Sequence, residues 1–141
     1  MALAKGLGMT GARPRILADS GNLTVHLEPH PIVARMPYRM PTEDAGSVQE
    51  SLRREIQVAR HLREVGVPTV EPATVVDAGP YLLGADWLAL WTYAEPATLA
   101  PPRGPEVIAF VLRLTEGLKT YSGFLPTLGA WGYVRTVLPM A

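Results

Sequence analysis

The chain has 141 residues and no cysteine, and its 13 basic and 13 acidic side chains give a formal net charge of zero. This length predicts one domain that is able to bury a core. The balanced charge argues against a nucleic-acid partner and against an acidic membrane surface. The lack of cysteine excludes disulfides and thiol nucleophiles, which is compatible with the cytoplasmic location that we expect.

Glycine and proline divide the first third of the chain into short elements. Residues 1–13 predict a loose lead-in that is too broken for a signal peptide. Residues 15–18, 19–22 and 23–27 then have the pattern of strand, tight turn and strand. In the second strand apolar side chains alternate with polar ones, so we expect His26 to be solvated on a polar face.

The clearest helix pattern covers residues 47–66. Ser47 and Glu50 have the spacing of a capping box, and Gly66 with a proline two residues later is typical of a helix end. At about 100° per residue, one face of this helix is apolar. That face consists of Val48, Leu52, Ile56, Ala59 and Leu62.

Glu55 lies within about 20–40° of three side chains of this apolar face. A carboxylate in such a place is unfavourable unless a cation pairs with it. The helix alone leaves two alternatives open, because Glu55 can pair with a basic residue on the neighbouring element or reach out to water.

The remaining sequence predicts further short strands, a linker and a second helix. In chain order these are a strand at 31–36 before the first helix, an extended connector at 67–72, a strand at 73–77, a turn at 78–80, a strand at 86–93, a proline-rich linker at 97–104, and a helix from 105 to 121 that is followed by an apolar tail. One helix on a small antiparallel sheet is an α+β arrangement. It places Arg35, on the third strand, close to Glu55.

A basic residue on the third strand, paired with a glutamate on the next helix, is how protein kinases hold nucleotide phosphates. The segments SGNLTVHLEPHPIVARM, REIQVARHLREVGVPTVEP and LALWTYAEP occur here in that order. Together they resemble the N-terminal lobe of aminoglycoside phosphotransferase-like enzymes, which share the protein-kinase architecture. The resemblance covers residues 16–96 and continues more weakly to LPTLGAW.

The resemblance implies a kinase-like N-lobe over residues 14–96, and then the linker and the start of a C-lobe from 105 to 141. It implies ATP with Mg²⁺ as the cofactor. The site residues that it implies are Ser20, Gly21 and Asn22 as a loop above the phosphates, Arg35 as the phosphate-contacting cation, Glu55 as its partner, and Trp91, Thr92 and Tyr93 as a hinge facing the adenine. From the residues alone, the glycine loop is an ordinary hairpin turn and the tryptophan a core residue.

The chain departs from the family pattern at several positions. Arg35 stands where the family usually has lysine, and its planar fork is not equivalent to an ammonium at a phosphate. Thr115 stands where family members often have histidine. Phosphoryl transfer also needs an aspartate near the acceptor and metal-binding asparagine and aspartate, whereas the last aspartate here is Asp86 and the only asparagine is Asn22. We therefore expect no transfer from this chain alone.

Two functions are compatible with these observations. The chain can be the nucleotide-binding N-lobe of a small-molecule kinase, as a truncated or frameshifted product or as one half of a split enzyme whose C-lobe is a separate chain. Alternatively, it can be a stand-alone, non-catalytic interaction or scaffold module that binds a protein partner or itself through the apolar tail. A response to nucleotide favours the first function, and a discrete oligomer without such a response favours the second.

Overall fold

A computed structural model describes residues 2–38, 44–96 and 100–126. Its elements in chain order are α1 (Ala2–Gly6), β1 (Arg13–Ser20), β2 (Asn22–Glu28), β3 (Ile32–Pro37), α2 (Ala45–Glu64), β4 (Tyr81–Leu83), β5 (Asp86–Thr92) and α3 (Gly104–Lys119). The strands form an antiparallel sheet in the order β1-β2-β3-β5-β4. The predicted α+β class is confirmed, and so are the predicted hairpin, the third strand, the helix after it, the strand at 86–93 and the second helix.

The helix α2 carries the apolar face that the sequence predicts. Its buried residues are Val48, Leu52, Ile56, Ala59 and Leu62. The predicted start was wrong, because the N-cap is Asp44, whose carboxylate accepts the Ser47 N–H at 3.3 Å. The helix therefore begins at Ala45, and Ser47 lies inside its first turn. At the other end Gly66 has a φ of +80°, as a glycine after a helix terminus commonly does.

The lead-in predicted for residues 1–13 was wrong. Residues 2–6 form α1, and Ala4 and Met9 are buried members of the main core cluster. The Met9 N–H donates to the Ala4 carbonyl at 2.8 Å, which closes the helix after Gly8 turns the chain with a φ of +77°. This segment is fixed by packing on the rest of the core, which its short sequence pattern did not reveal.

The strand predicted at 73–77 was also wrong, since β4 lies further along at Tyr81–Leu83. The Asp77 carboxylate accepts the Gly79 N–H at 2.7 Å, and this local turn competes with an extended strand. Residues 73–78 contact β5 only at isolated points, such as the hydrogen bond from the Ala73 N–H to the Leu90 carbonyl at 3.0 Å.

The helix α3 attaches to the C-terminal end of α2. Arg113 Nη2 donates to the Gly66 carbonyl at 2.7 Å, and the buried Gly117 fits against Val67 and Leu62. The large apolar side chains of this helix are mostly exposed. Among them are Ile108, Val111 and Leu112. Positions 97–99 of the predicted linker, and the predicted tail from 127 onward, lie outside the described residues.

Candidate functional site

The register of the sheet brings the candidate residues onto one face. Side chains that lie directly opposite each other on antiparallel strands project from the same face. Thr24 on β2 is opposite Arg35 on β3, and Arg35 is in turn opposite Ala89 on β5. The next row contains His26, Val33 and Trp91. Two rows of side chains thus form a floor beside α2.

This floor borders a cavity of about 890 Å³. Its walls come from β1 through Arg15 and Leu17, from one side of α2, and from the chain immediately after β5. Residues 125 and 126, which follow α3, also line it. A volume of this size is within the range of small-molecule sites, which run from about 300 to 1,000 Å³.

Arg35 and Glu55 form the ion pair that the sequence predicts. Arg35 Nη1 donates to Glu55 Oε2, and the two side chains are 30% and 37% exposed. The pair therefore borders the cavity, where solvent or a ligand can reach it. A guanidinium has five N–H donors, and within the described residues Arg35 uses one of them in a side-chain hydrogen bond.

The predicted hinge lines the same cavity. Trp91 is 7% exposed, and its indole N–H has no hydrogen-bond partner in the described part of the chain. The Thr92 N–H donates to Glu71 at 2.8 Å and the Tyr93 N–H donates to Pro31 at 2.9 Å, so both backbone donors are already used. The following amide, at position 94, has no such partner between residues 44 and 96 or elsewhere in the described chain.

A polar cluster beside the hinge escaped the sequence analysis. His26 was expected to be solvated, but it is 7% exposed and stacks on Tyr93, with ring centroids 3.8 Å apart. Its Nε2 lies 2.9 Å from the His30 carbonyl, and its Nδ1 lies 3.2 Å from Arg15 Nη2. The tight turn at 20–22 alone does not reveal this contact, because its register would place Ile16 opposite His26. A shift in register between Ile16 and Ala18 brings Arg15 opposite His26 instead.

Arg15 connects this cluster to the cavity wall. Its guanidinium donates to the Tyr93 hydroxyl at 3.4 Å and to Glu28 at 2.5 Å. These two hydrogen bonds, with Tyr93 contributing most, raise the pKa of Arg15 above its ordinary value. The charge of Arg15 is therefore already matched by Glu28.

The predicted phosphate loop does not join the cavity in the described structure. Ser20 and Asn22 pair across the hairpin, and Gly21 stands alone at the tip with a φ of +71°. The Gly21 carbonyl accepts the Tyr38 N–H at 3.2 Å, and the Tyr38 hydroxyl donates to Asp19. Hydrogen bonds thus hold the hairpin tip against Tyr38, directly after β3, and residues 20–22 are not among the described residues that line the cavity.

Comparisons of the chain with protein-family models, with curated proteins and with solved structures found no match. Within residues 2–38, 44–96 and 100–126, no three histidine, aspartate or glutamate side chains are grouped so that they could hold a metal ion. None of the described helices has the length and apolar character needed to cross a membrane. Function is therefore inferred from the cavity itself.

Proposed function

We propose that this fold is the nucleotide-binding lobe of an aminoglycoside phosphotransferase-like small-molecule kinase, with the phosphates of ATP held at Arg35. The observation that carries the proposal is the Arg35–Glu55 pair on the cavity wall. A cation on the third strand, fixed by a glutamate on the next helix, is the arrangement with which kinases position phosphates.

The charges around the cavity support an anionic ligand. Among the described residues that line it are three arginines, Arg15, Arg35 and Arg54. Glu28 pairs with the first and Glu55 with the second, which leaves the positive charge of Arg54 unmatched within the described residues. The whole chain has no net charge, so this positive charge is concentrated at one place. A cleft lined mainly by one sign of charge raises the local concentration of ligands of the opposite sign.

The replacement of lysine by Arg35 is compatible with phosphate binding. Glu55 occupies one N–H of the guanidinium, and the remaining donors can bind phosphate oxygens while the pair stays intact. Glu55 thereby fixes the orientation of the planar Arg35 guanidinium. A lysine ammonium, whose donors rotate freely, would not need such an orientation.

The other end of the cavity supports a flat heteroaromatic base. Leu17 and Val33 provide apolar lining, and the backbone N–H of Ala94, which has no backbone partner in the described chain, provides a donor. Ligand sites commonly combine an apolar lining with a few well-placed polar groups.

The described residues do not fit a metal ion held by the protein. Among the described residues that line the cavity, Glu55 is the one carboxylate, and it is already bound to Arg35. Mg²⁺ commonly binds through substrate phosphates together with one or two carboxylates, so in this lobe it would arrive with the nucleotide. Binding is proposed here for the chain, and transfer is not.

A thermal melt with and without millimolar Mg²⁺-ATP tests the proposal. At ten times its Kd, a ligand that binds only the folded state adds about 1.4 kcal/mol to the free energy of unfolding. For a chain of this size the midpoint then rises by roughly 4 °C. Glu55→Ala should abolish the rise, whereas Glu50→Ala should preserve it, because Glu50 is exposed on the same helix and its ion pair within the described residues is the exposed one with Arg53. No rise in the wild type, or an equal rise in Glu55→Ala, would overturn the proposal.

A protein-interaction module is the second candidate, and the exposed face of α3 favours it. Ile108 is 63% exposed, Leu112 is 61% exposed and Val111 is 50% exposed. Adjacent exposed apolar side chains commonly mark contact surfaces. Light scattering distinguishes the candidates: a discrete oligomer that Leu112→Lys dissociates, in a protein without any nucleotide response, would favour this second function.

A further inference from the structure

The helix α2 has two functional sides. One side is the buried apolar face described above. The adjacent side lines the cavity with Ser51, Arg54, Glu55 and Val58, whose spacing of three and four residues places them on one face of a helix. The buried side fixes the helix on the sheet, and it thereby fixes the direction of the cavity side.

Arg54 differs from the other two arginines of the cavity. Arg15 is paired with Glu28, and Arg35 is paired with Glu55. Among the ion pairs of residues 2–38, 44–96 and 100–126, none includes Arg54. Arg54 is half-buried at the wall, so its charge is less screened than that of a fully exposed side chain.

The chain after α3 supports Arg54 from one side. The Arg54 guanidinium carbon lies 5.4 Å from the centroid of the Phe124 ring, which is a cation–π contact. A cation–π contact contains no N–H···O hydrogen bond, so it does not use up the hydrogen-bonding capacity of the five guanidinium N–H groups. Leu125 and Pro126, which follow directly, line the same cavity.

We propose that Arg54 is a specificity-determining residue that binds the terminal phosphate of a nucleoside triphosphate. This inference rests on the proposed function. Arg35 lies two positions along β3 from Val33, whose row adjoins the hinge, so the inner phosphates reach Arg35 first. Arg54 precedes Glu55 on α2 and supplies the next cation, where a third phosphate adds negative charge that a diphosphate lacks.

Isothermal titration of the full chain with Mg²⁺-ATP and with Mg²⁺-ADP tests this role. Loss of one charge-assisted contact weakens binding about 10- to 100-fold. Arg54→Gln should show this loss for ATP and less than about a threefold change for ADP. Arg54→Lys keeps the charge, so its affinity for ATP should lie between the affinities of the wild type and of Arg54→Gln. The matched control is Arg60→Gln, because Arg60 is exposed on the same helix and is not part of the cavity lining; its affinities should not change.

A second variant separates phosphate binding from a role in shaping the cavity. Phe124→Leu removes the ring beside Arg54 and keeps the charge, so ATP affinity should fall less than about threefold. The inference is overturned if Phe124→Leu reproduces Arg54→Gln, if Arg54→Gln weakens ATP and ADP equally, or if it weakens neither. If the wild type binds no nucleotide, the proposed function itself fails; if it binds and Arg54→Gln has no effect, only the role of Arg54 fails.

Discussion

The pairing of Arg35 with Glu55 can be measured as a coupling free energy. The two side chains are 30% and 37% exposed, so the pair lies between the exposed and the buried class. Two unit charges about 4 Å apart attract by roughly 4 kcal/mol at an effective dielectric constant of 20. Desolvation and solvent screening offset most of that attraction, and exposed pairs retain about 0.2–1 kcal/mol. We therefore expect a coupling of about 1–2 kcal/mol here.

A double-mutant cycle in urea provides the assay. The variants are Arg35→Met, Glu55→Gln and the double variant, which remove the charges and keep most of the side-chain volume. The slope of unfolding free energy against urea should stay constant, because the surface exposed on unfolding is the same. The exposed pair of Arg53 and Glu50 on the same helix, with its contact at 2.7 Å, is the control cycle and should give less than about 0.5 kcal/mol.

A coupling between Arg35 and Glu55 that is no larger than the coupling in the control cycle would refute a fixed ion pair at the cavity wall. Such a result would mean that the pair forms only weakly in solution. The cavity wall would then have no fixed cation, and the proposal for nucleotide binding would lose the observation on which it depends.

Three other perturbations give results that the structure fixes in direction. Nucleotide should change the tryptophan fluorescence through Trp91, which lines the cavity. The Trp91→Phe variant should lose this fluorescence change, and the Trp87→Phe variant should keep it. The opposite pattern would place the ligand outside this cavity. Gly117→Val should lower the free energy of unfolding by about 1–3 kcal/mol in a urea titration, because a Cβ at this position would lie 2.8 Å from a methyl group of Val67. The control is Gly104→Val, which should lower the free energy of unfolding less, because a Cβ at Gly104 meets nothing within 4 Å. Equal losses in the two variants would contradict the close packing at Gly117. The pKa of Glu106 is lowered from 4.5, first by the backbone N–H of Arg103, the N-cap of α3, and then by the Arg103 side chain. The stabilising effect of the ionised Glu106 is therefore present above about pH 4.5 and is lost as the pH falls through the lower pKa of the folded state. NMR titration of the Glu106 carboxyl carbon should show the lowered pKa, and Glu106→Gln should make the free energy of unfolding less dependent on pH in that acidic range.

The sequence predicted the elements whose signal is local and repeated. α2 spans 20 residues, so its apolar period repeats often enough to identify the buried face and the place of Glu55. The hairpin was also predicted from a local signal, since Gly21 and Asn22 suit a tight turn and the segment after them alternates apolar and polar residues. The partner of Glu55 followed from the order of the elements.

The elements that the sequence missed depend on contacts between distant residues. α1 has five residues, too few for a helical period to show, and its burial comes from packing on the core. β4 has three residues and is defined by its pairing with β5, whereas the valines at 75 and 76 favoured a strand one segment too early. Burial of His26 required knowing that Tyr93 lies over it, although the two are far apart in sequence.

The exposure of β1 has a consequence for dynamics. All eight residues of this edge strand are exposed, and its register shifts between Ile16 and Ala18. The strand is therefore held by backbone hydrogen bonds to β2 and by polar side-chain contacts such as those of Arg15 and Asp19, and not by buried apolar packing. Segments with few buried apolar contacts open at a small fraction of the global unfolding free energy. Because Arg15 and Leu17 of this strand form part of the cavity wall, the wall can separate transiently from the sheet while the core under α2 stays folded, and a ligand can enter without waiting for global unfolding.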